Sequence, residues 1–77
     1  MRLDEYLAEV AVLEMQNLAP QTQFKIRDLF SSNAWDIVPI QIRQQAGLRF
    51  FEKVSKHKPP QVREVRFDND ATLYEKL

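Results

Sequence analysis

The chain has 77 residues, with 11 Lys and Arg against 11 Asp and Glu, one His, one Gly, four Pro and no Cys, and 44% of it is apolar. This is one small domain, and the balance excludes disordered, collagenous and coiled-coil-fibre compositions, any disulfide staple and any cysteine-based zinc site. The longest apolar run, Val10 to Leu13, is far short of the ~18 residues of a membrane helix, and Asp4 and Glu5 stand where a signal peptide carries cations, so a cytoplasmic protein without a membrane partner is expected.

The zero net charge is a sum of unlike segments. Residues 1–24 carry one cation against four acids, whereas residues 41–66 carry seven cations against two. Such an asymmetry bears on the choice of partner.

From Leu3 to Leu18, Glu5, Glu9 and Gln16 share one helical face while Leu3, Tyr6, Leu7, Val10, Leu13 and Leu18 spread over the opposite side. The spacing predicts an amphipathic helix that ends near Leu18, because Pro20 lacks an N–H and disfavours helical geometry at Ala19. Its apolar arc is wide, with Ala8, Ala11, Val12 and Met15 flanking the main stripe. Core packing accounts for such an arc; so does a homodimer through Leu3, Leu7 and Val10.

Phe24 and Ile26 alternate with Lys25 and Arg27, as in a short strand, and then feed a helical turn before the Ser31-Ser32-Asn33 cluster. Trp35, Ile37 and Val38 anchor the connection, and Pro39 suits the first position of a helix whose Ile40, Ile42 and Ala46 turn inward. The single glycine, Gly47, costs ~1 kcal/mol inside a helix, so a tight join between two helices is expected there. In the second of these, Phe50, Phe51 and Val54 give an apolar back, and Arg49, Lys53, Lys56 and His57 a basic front. Trp35, Phe50, Phe51 and Phe30 are the expected aromatic core. Pro59 and Pro60 stop the helix. Val62, Val65 and Phe67 then lead through Asp68-Asn69-Asp70 to Leu73, Tyr74 and Leu77, the pattern of a β-hairpin.

Enzymatic chemistry is not expected. There is no cysteine nucleophile, and His57 stands between Lys56 and Lys58 without a supporting acid, as a solvated helix-end residue does. Asp68 and Asp70 open like a calcium loop but lack its glycine and its distal Glu, so turn chemistry explains them and no metal site is expected. One glycine cannot build a phosphate-binding loop. No cofactor and no small-molecule substrate is identified.

Duplex DNA binding requires clustered cations on an element that fits a groove, since counterion release supplies most of the affinity. Helix, join, basic helix and hairpin is the order of a helix-turn-helix with a wing, which makes Arg43, Arg49, Lys53, Lys56, Lys58, Arg63 and Arg66 the candidate contacts. A basic helix face that is merely solvated explains the same pattern. Gln41, Gln44 and Gln45 are ordinary surface residues or further polar contacts.

The ordered set Phe24-Lys25-Ile26-Arg27-Asp28-Leu29-Phe30, Trp35, Arg43, Gly47, Phe51, Val54, Pro60, Val62, Asn69 and Tyr74 resembles a small bacterial family of single-domain proteins of unknown function, found also in mobile elements. The resemblance covers residues 24–77 and implies a compact winged-helix-like module with no established activity. The expected fold is therefore α+β, a single domain over 1–77, with an N-terminal amphipathic helix in 1–19 and a winged-helix-like module in 24–77 that ends in a β-hairpin. Two functions follow from the residues: a DNA-binding or regulatory module, or a protein-interaction module, adaptor or inhibitor, that uses the N-terminal helix and a basic surface.

Overall fold

A computed structural model describes residues 2–68 and 71–77, Asp68 by its backbone alone. Helix α1 spans Leu3–Gln16, strand β1 Gln23–Phe24, a 3-10 turn Ile26–Leu29, helix α2 Ser32–Asp36, helix α3 Ile40–Lys56, strand β2 Val62–Asp68 and strand β3 Ala71–Lys76. The chain is α+β, with two main helices beside a three-stranded antiparallel sheet of order β1-β3-β2.

Asp4 and Glu5 in the first turn of α1 complement the positive end of its dipole. The helix closes at Asn17, one residue before the expected Leu18, because Ala19-Pro20-Gln21-Thr22 forms a turn in which the Thr22 N–H donates to the Ala19 carbonyl at 3.2 Å. Proline at the second position and Gln21 at φ 73° at the third are the pattern of a type II turn. The turn aims the chain into β1, where Phe24 pairs with Tyr74.

The expected strand is shorter than its alternation suggests. Only Gln23 and Phe24 pair with β3, and Ile26 enters the core from the 3-10 turn, which the Asp28 carboxylate closes by accepting from the Lys25 N–H at 2.9 Å. Ser31 caps α2 with its hydroxyl, 3.3 Å from the Ala34 N–H.

Gly47 does not join two helices. It lies inside the continuous helix α3, which begins one residue after Pro39. The inward row Ala46, Phe50 and Val54 recurs every fourth residue straight past it, and the burial of that row outweighs the ~1 kcal/mol propensity cost of the glycine. The expected helix-turn-helix is therefore absent from residues 40–57, and the helix pair of the chain is short α2 followed by long α3.

Helices α1 and α3 pack against each other, with Ala8, Ala11 and Ala46 wholly buried where the backbones come close. Met15 and Phe50 are the largest side chains with no exposure. Phe50 meets Tyr74 edge-on at 5.3 Å and Phe24 edge-on at 6.4 Å, while Phe24 stacks on Tyr74 at 5.6 Å, so one aromatic cluster ties the long helix to the two paired strands. Trp35 is buried and stacks on half-buried Phe30 at 4.9 Å. Phe51, expected in the core, is 39% exposed, because it sits one residue off the inward row.

Strands β2 and β3 form the expected hairpin, with an extra residue at Val65 between the pairs Glu64–Tyr74 and Arg66–Leu73. Asn69 and Asp70, the expected hairpin turn, lie outside the described residues.

Candidate functional site

The seven candidate cations fall into three groups. Two are held by carboxylates. Arg49 donates from Nε to Oδ2 of Asp4 at 2.5 Å and lies 3.7 Å from Glu5, and Arg63 pairs with Glu75 at 3.0 Å across the hairpin. Arg43 is half-buried, and its Nε has no hydrogen-bond partner among the described residues. Lys53, Lys56 and Lys58 are exposed at the end of α3 with no carboxylate within 4 Å among the described residues, and Arg66 is exposed on β2.

Helix periodicity explains the division. Arg49, Lys53 and Lys56 follow i, i+4, i+7 along one flank of α3, and α1 covers the beginning of that flank. Its Asp4 side chain is buried between two guanidinium groups, Arg49 and, at 3.3 Å, Arg2, and Arg2 also reaches Gln45 on α3 at 3.2 Å. The hydrogen bond from Arg49 holds the Asp4 carboxyl below its ordinary range despite the desolvation that pushes it up, and the same bond raises Arg49. Glu75 is likewise lowered, first by Arg63 and then by Gln23. Burial pushes the Tyr74 hydroxyl up to about 12, with Glu64 adding to the effect. Lys53 and Lys56 occupy the last turn of α3, where cations also offset the negative end of the helix dipole. His57 closes the same end through Nδ1, which donates to the Pro59 carbonyl at 2.8 Å.

The basic front expected on α3 is thus broken at its first member. The signal for this lay in the opposite charges of residues 1–24 and 41–66, which call for each other in a folded chain. Apart from Glu52, the other exposed positions on α3 are uncharged or apolar, and Ile40, Gln44, Leu48, Phe51 and Ser55 recur at i, i+4, i+8, i+11 and i+15.

On α1 the structure divides the proposed self-association set. Leu7 is 8% exposed and belongs to the core, since it shares a face with Asp4, Ala8, Ala11 and Met15. Leu3 is exposed and Val10 half-buried, and between and beyond them stand Tyr6 and Leu13. Leu3, Tyr6, Val10 and Leu13 follow the 3-4-3 spacing of a coiled-coil seam, and they face away from the domain with exposures of 46% at Leu3, 55% at Tyr6 and 62% at Leu13. The sequence pattern showed one wide arc; only the packing of α3 against one side of it separates core from seam.

A family model for a domain of unknown function (DUF1413) matches residues 9–76, nearly the whole chain. The chain belongs to that family. The match runs from the middle of α1 through β3, so the second half of α1, all of α3 and the sheet fall within it, while Asp4 lies before it. No curated protein and no solved structure matches the chain.

Proposed function

We propose that this member of the DUF1413 family is a winged-helix-like protein-interaction module that docks a helix of another protein on the outward seam of α1. The order helix, strand, short helix, long helix and hairpin, with β3 between β1 and β2, supports the winged-helix-like reading. One observation carries the docking reading: at coiled-coil spacing on α1, Leu3, Tyr6 and Leu13 are 46–62% exposed on one face with Val10 half-buried between them, whereas isolated exposed apolar residues need no explanation. The burial of Leu3, Tyr6, Val10 and Leu13 against a partner helix removes apolar area from water and supplies the affinity.

Duplex DNA binding is the second reading. It is favoured by the exposed lysines at the end of α3, and weakened by the loss of Arg49 and Arg63 to carboxylates and by the uncharged face of the helix that would enter a groove. Both readings are tested by amide chemical-shift titration of the intact chain. One titration uses a two-heptad helical peptide with a leucine seam and glutamine flanks, the other a random-sequence duplex at about 50 mM salt. The docking reading expects shifts centred on Leu3, Tyr6, Val10 and Leu13 with the peptide and none with the duplex. Shifts confined to Lys53–Lys58 with the duplex, and no response to the peptide, overturn it.

A further inference from the structure

The residues that border the α1 seam define what kind of helix it takes. In the register that places Leu3 and Val10 at a, and Tyr6 and Leu13 at d, Glu9 falls at g and Glu14 at e, the positions that face a partner's flanks across a helix pair. Both are exposed, and among the described residues neither has a cation within 4 Å. Arg2, the cation at the preceding g position, is directed to Asp4 and Gln45 and so does not neutralise this border. Leu7, the other e position, is in the core, and Gln16, the other g position, is uncharged. The seam is therefore an apolar floor between acidic rails.

That arrangement opposes a second copy. Parallel pairing of two α1 helices sets Glu9 of each against Glu14 of the other. Antiparallel pairing about the midpoint of the seam, with Leu3 on Leu13 and Tyr6 on Val10, sets Glu9 against Glu9. Acid meets acid either way, and like charges at these positions are the usual device by which helices reject themselves as partners.

We propose that α1 takes an amphipathic helix whose own apolar seam is flanked by Lys or Arg, with Leu3, Tyr6, Val10 and Leu13 contacting the seam and Glu9 and Glu14 pairing with the flanking cations. This rests on the docking reading above and adds the charge of the partner. A seam of four residues is short for a coiled coil, so the ionic rails contribute a large share of the selectivity and make it depend on salt.

The test uses three peptides with one leucine seam and Lys, Gln or Glu at all e and g positions, with a lysine-rich peptide lacking the seam as control. Binding to the intact chain is read by fluorescence anisotropy. At low salt the Lys-flanked peptide binds about tenfold more tightly than the Glu-flanked one, the difference vanishes near 1 M salt, and the seamless control does not bind. A Glu9→Lys/Glu14→Lys variant reverses the preference. Leu13→Gln and Tyr6→Gln each weaken binding at least tenfold while circular dichroism and the unfolding midpoint stay unchanged, since both side chains are more than half exposed in the folded chain. Equal affinity for the three flanks leaves the docking reading standing and overturns the charge assignment; failure of all three seam peptides overturns both. A dimer in sedimentation equilibrium that dissociates on Leu13→Gln identifies the occupant as a second copy and also overturns the proposal.

Discussion

Asp4 is the one charged side chain in the core among the described residues, and two guanidinium groups hold it ionised. Its native carboxyl binds a proton less readily than the same group in the unfolded chain, so the folded state carries fewer protons in the acid range and stability rises with pH there. The contribution is complete above the ordinary carboxylate value of about 4 and is lost as pH falls through the lower native one. Glu75 acts with the same sign through Arg63. Urea titrations of Asp4→Asn should therefore show a flatter loss of stability on acidification than the parent chain, and an identical acid limb would show that the pair is not linked to folding. A second residue-scale prediction concerns backbone fit. Gly47 is mid-helix with nothing within 4 Å of where a Cβ would stand, and Gln21 holds φ 73° in a turn that suits glycine. Gly47→Ala should stabilise by about 1 kcal/mol and Gln21→Gly by about 0.5–1 kcal/mol, both read as a shift in urea midpoint at constant slope. A loss of stability in Gly47→Ala would mean that the helix is not continuous.

At the scale of elements, α3 is the axle of the domain, and its two adjacent phenylalanines have different tasks. Phe50 has no exposure and meets Phe24 and Tyr74 of the sheet, so Phe50→Ala should cost about 3–5 kcal/mol, enough to unfold a domain this small. Phe51, on the rim, should cost roughly a third of that when replaced by Ala, and equal losses in thermal melts would place both rings inside. The sequence pattern showed an apolar back on this helix but not its angular width, because periodicity assigns a face to within about one residue while burial depends on which neighbour arrives. The same limit explains Leu7 and Leu13 on α1, both on the apolar side of the wheel and separated only by contact with α3. Gly47 was misread for a different reason: its propensity cost is local, and the burial of Ala46, Phe50 and Val54 that overrides it is a property of the whole helix. The hairpin, the short strand at Phe24 and the helical turn that follows it were legible because turn residues and alternation act over few residues, whereas Ser32–Asp36, which holds Trp35, read as a connection and is helix α2.

For the molecule as a whole, a zero net charge resolves into two poles and one internal seam of opposite charges. Part of the negative segment meets part of the positive one inside the domain, at Asp4 and Arg49, and what is left over faces outward as acidic rails on α1 and a lysine cluster at the end of α3. The arrangement of the strands sets a further property, the order in which the chain becomes a protein. Strands β1 and β2 never touch each other; each pairs only with β3, which is the last of the three to be made. During synthesis α1 can meet α3 as soon as residue 56 is free, whereas no sheet exists until residues 71–76 have been added, and Phe24 and Phe50 wait uncovered for Tyr74. A chain stopped after Asp68 should thus keep helical circular dichroism yet bind an apolar dye and lack a cooperative transition, and a synthetic peptide of residues 69–77 added in trans should restore the transition. Cooperative melting of the shortened chain alone would show that the helices need no sheet.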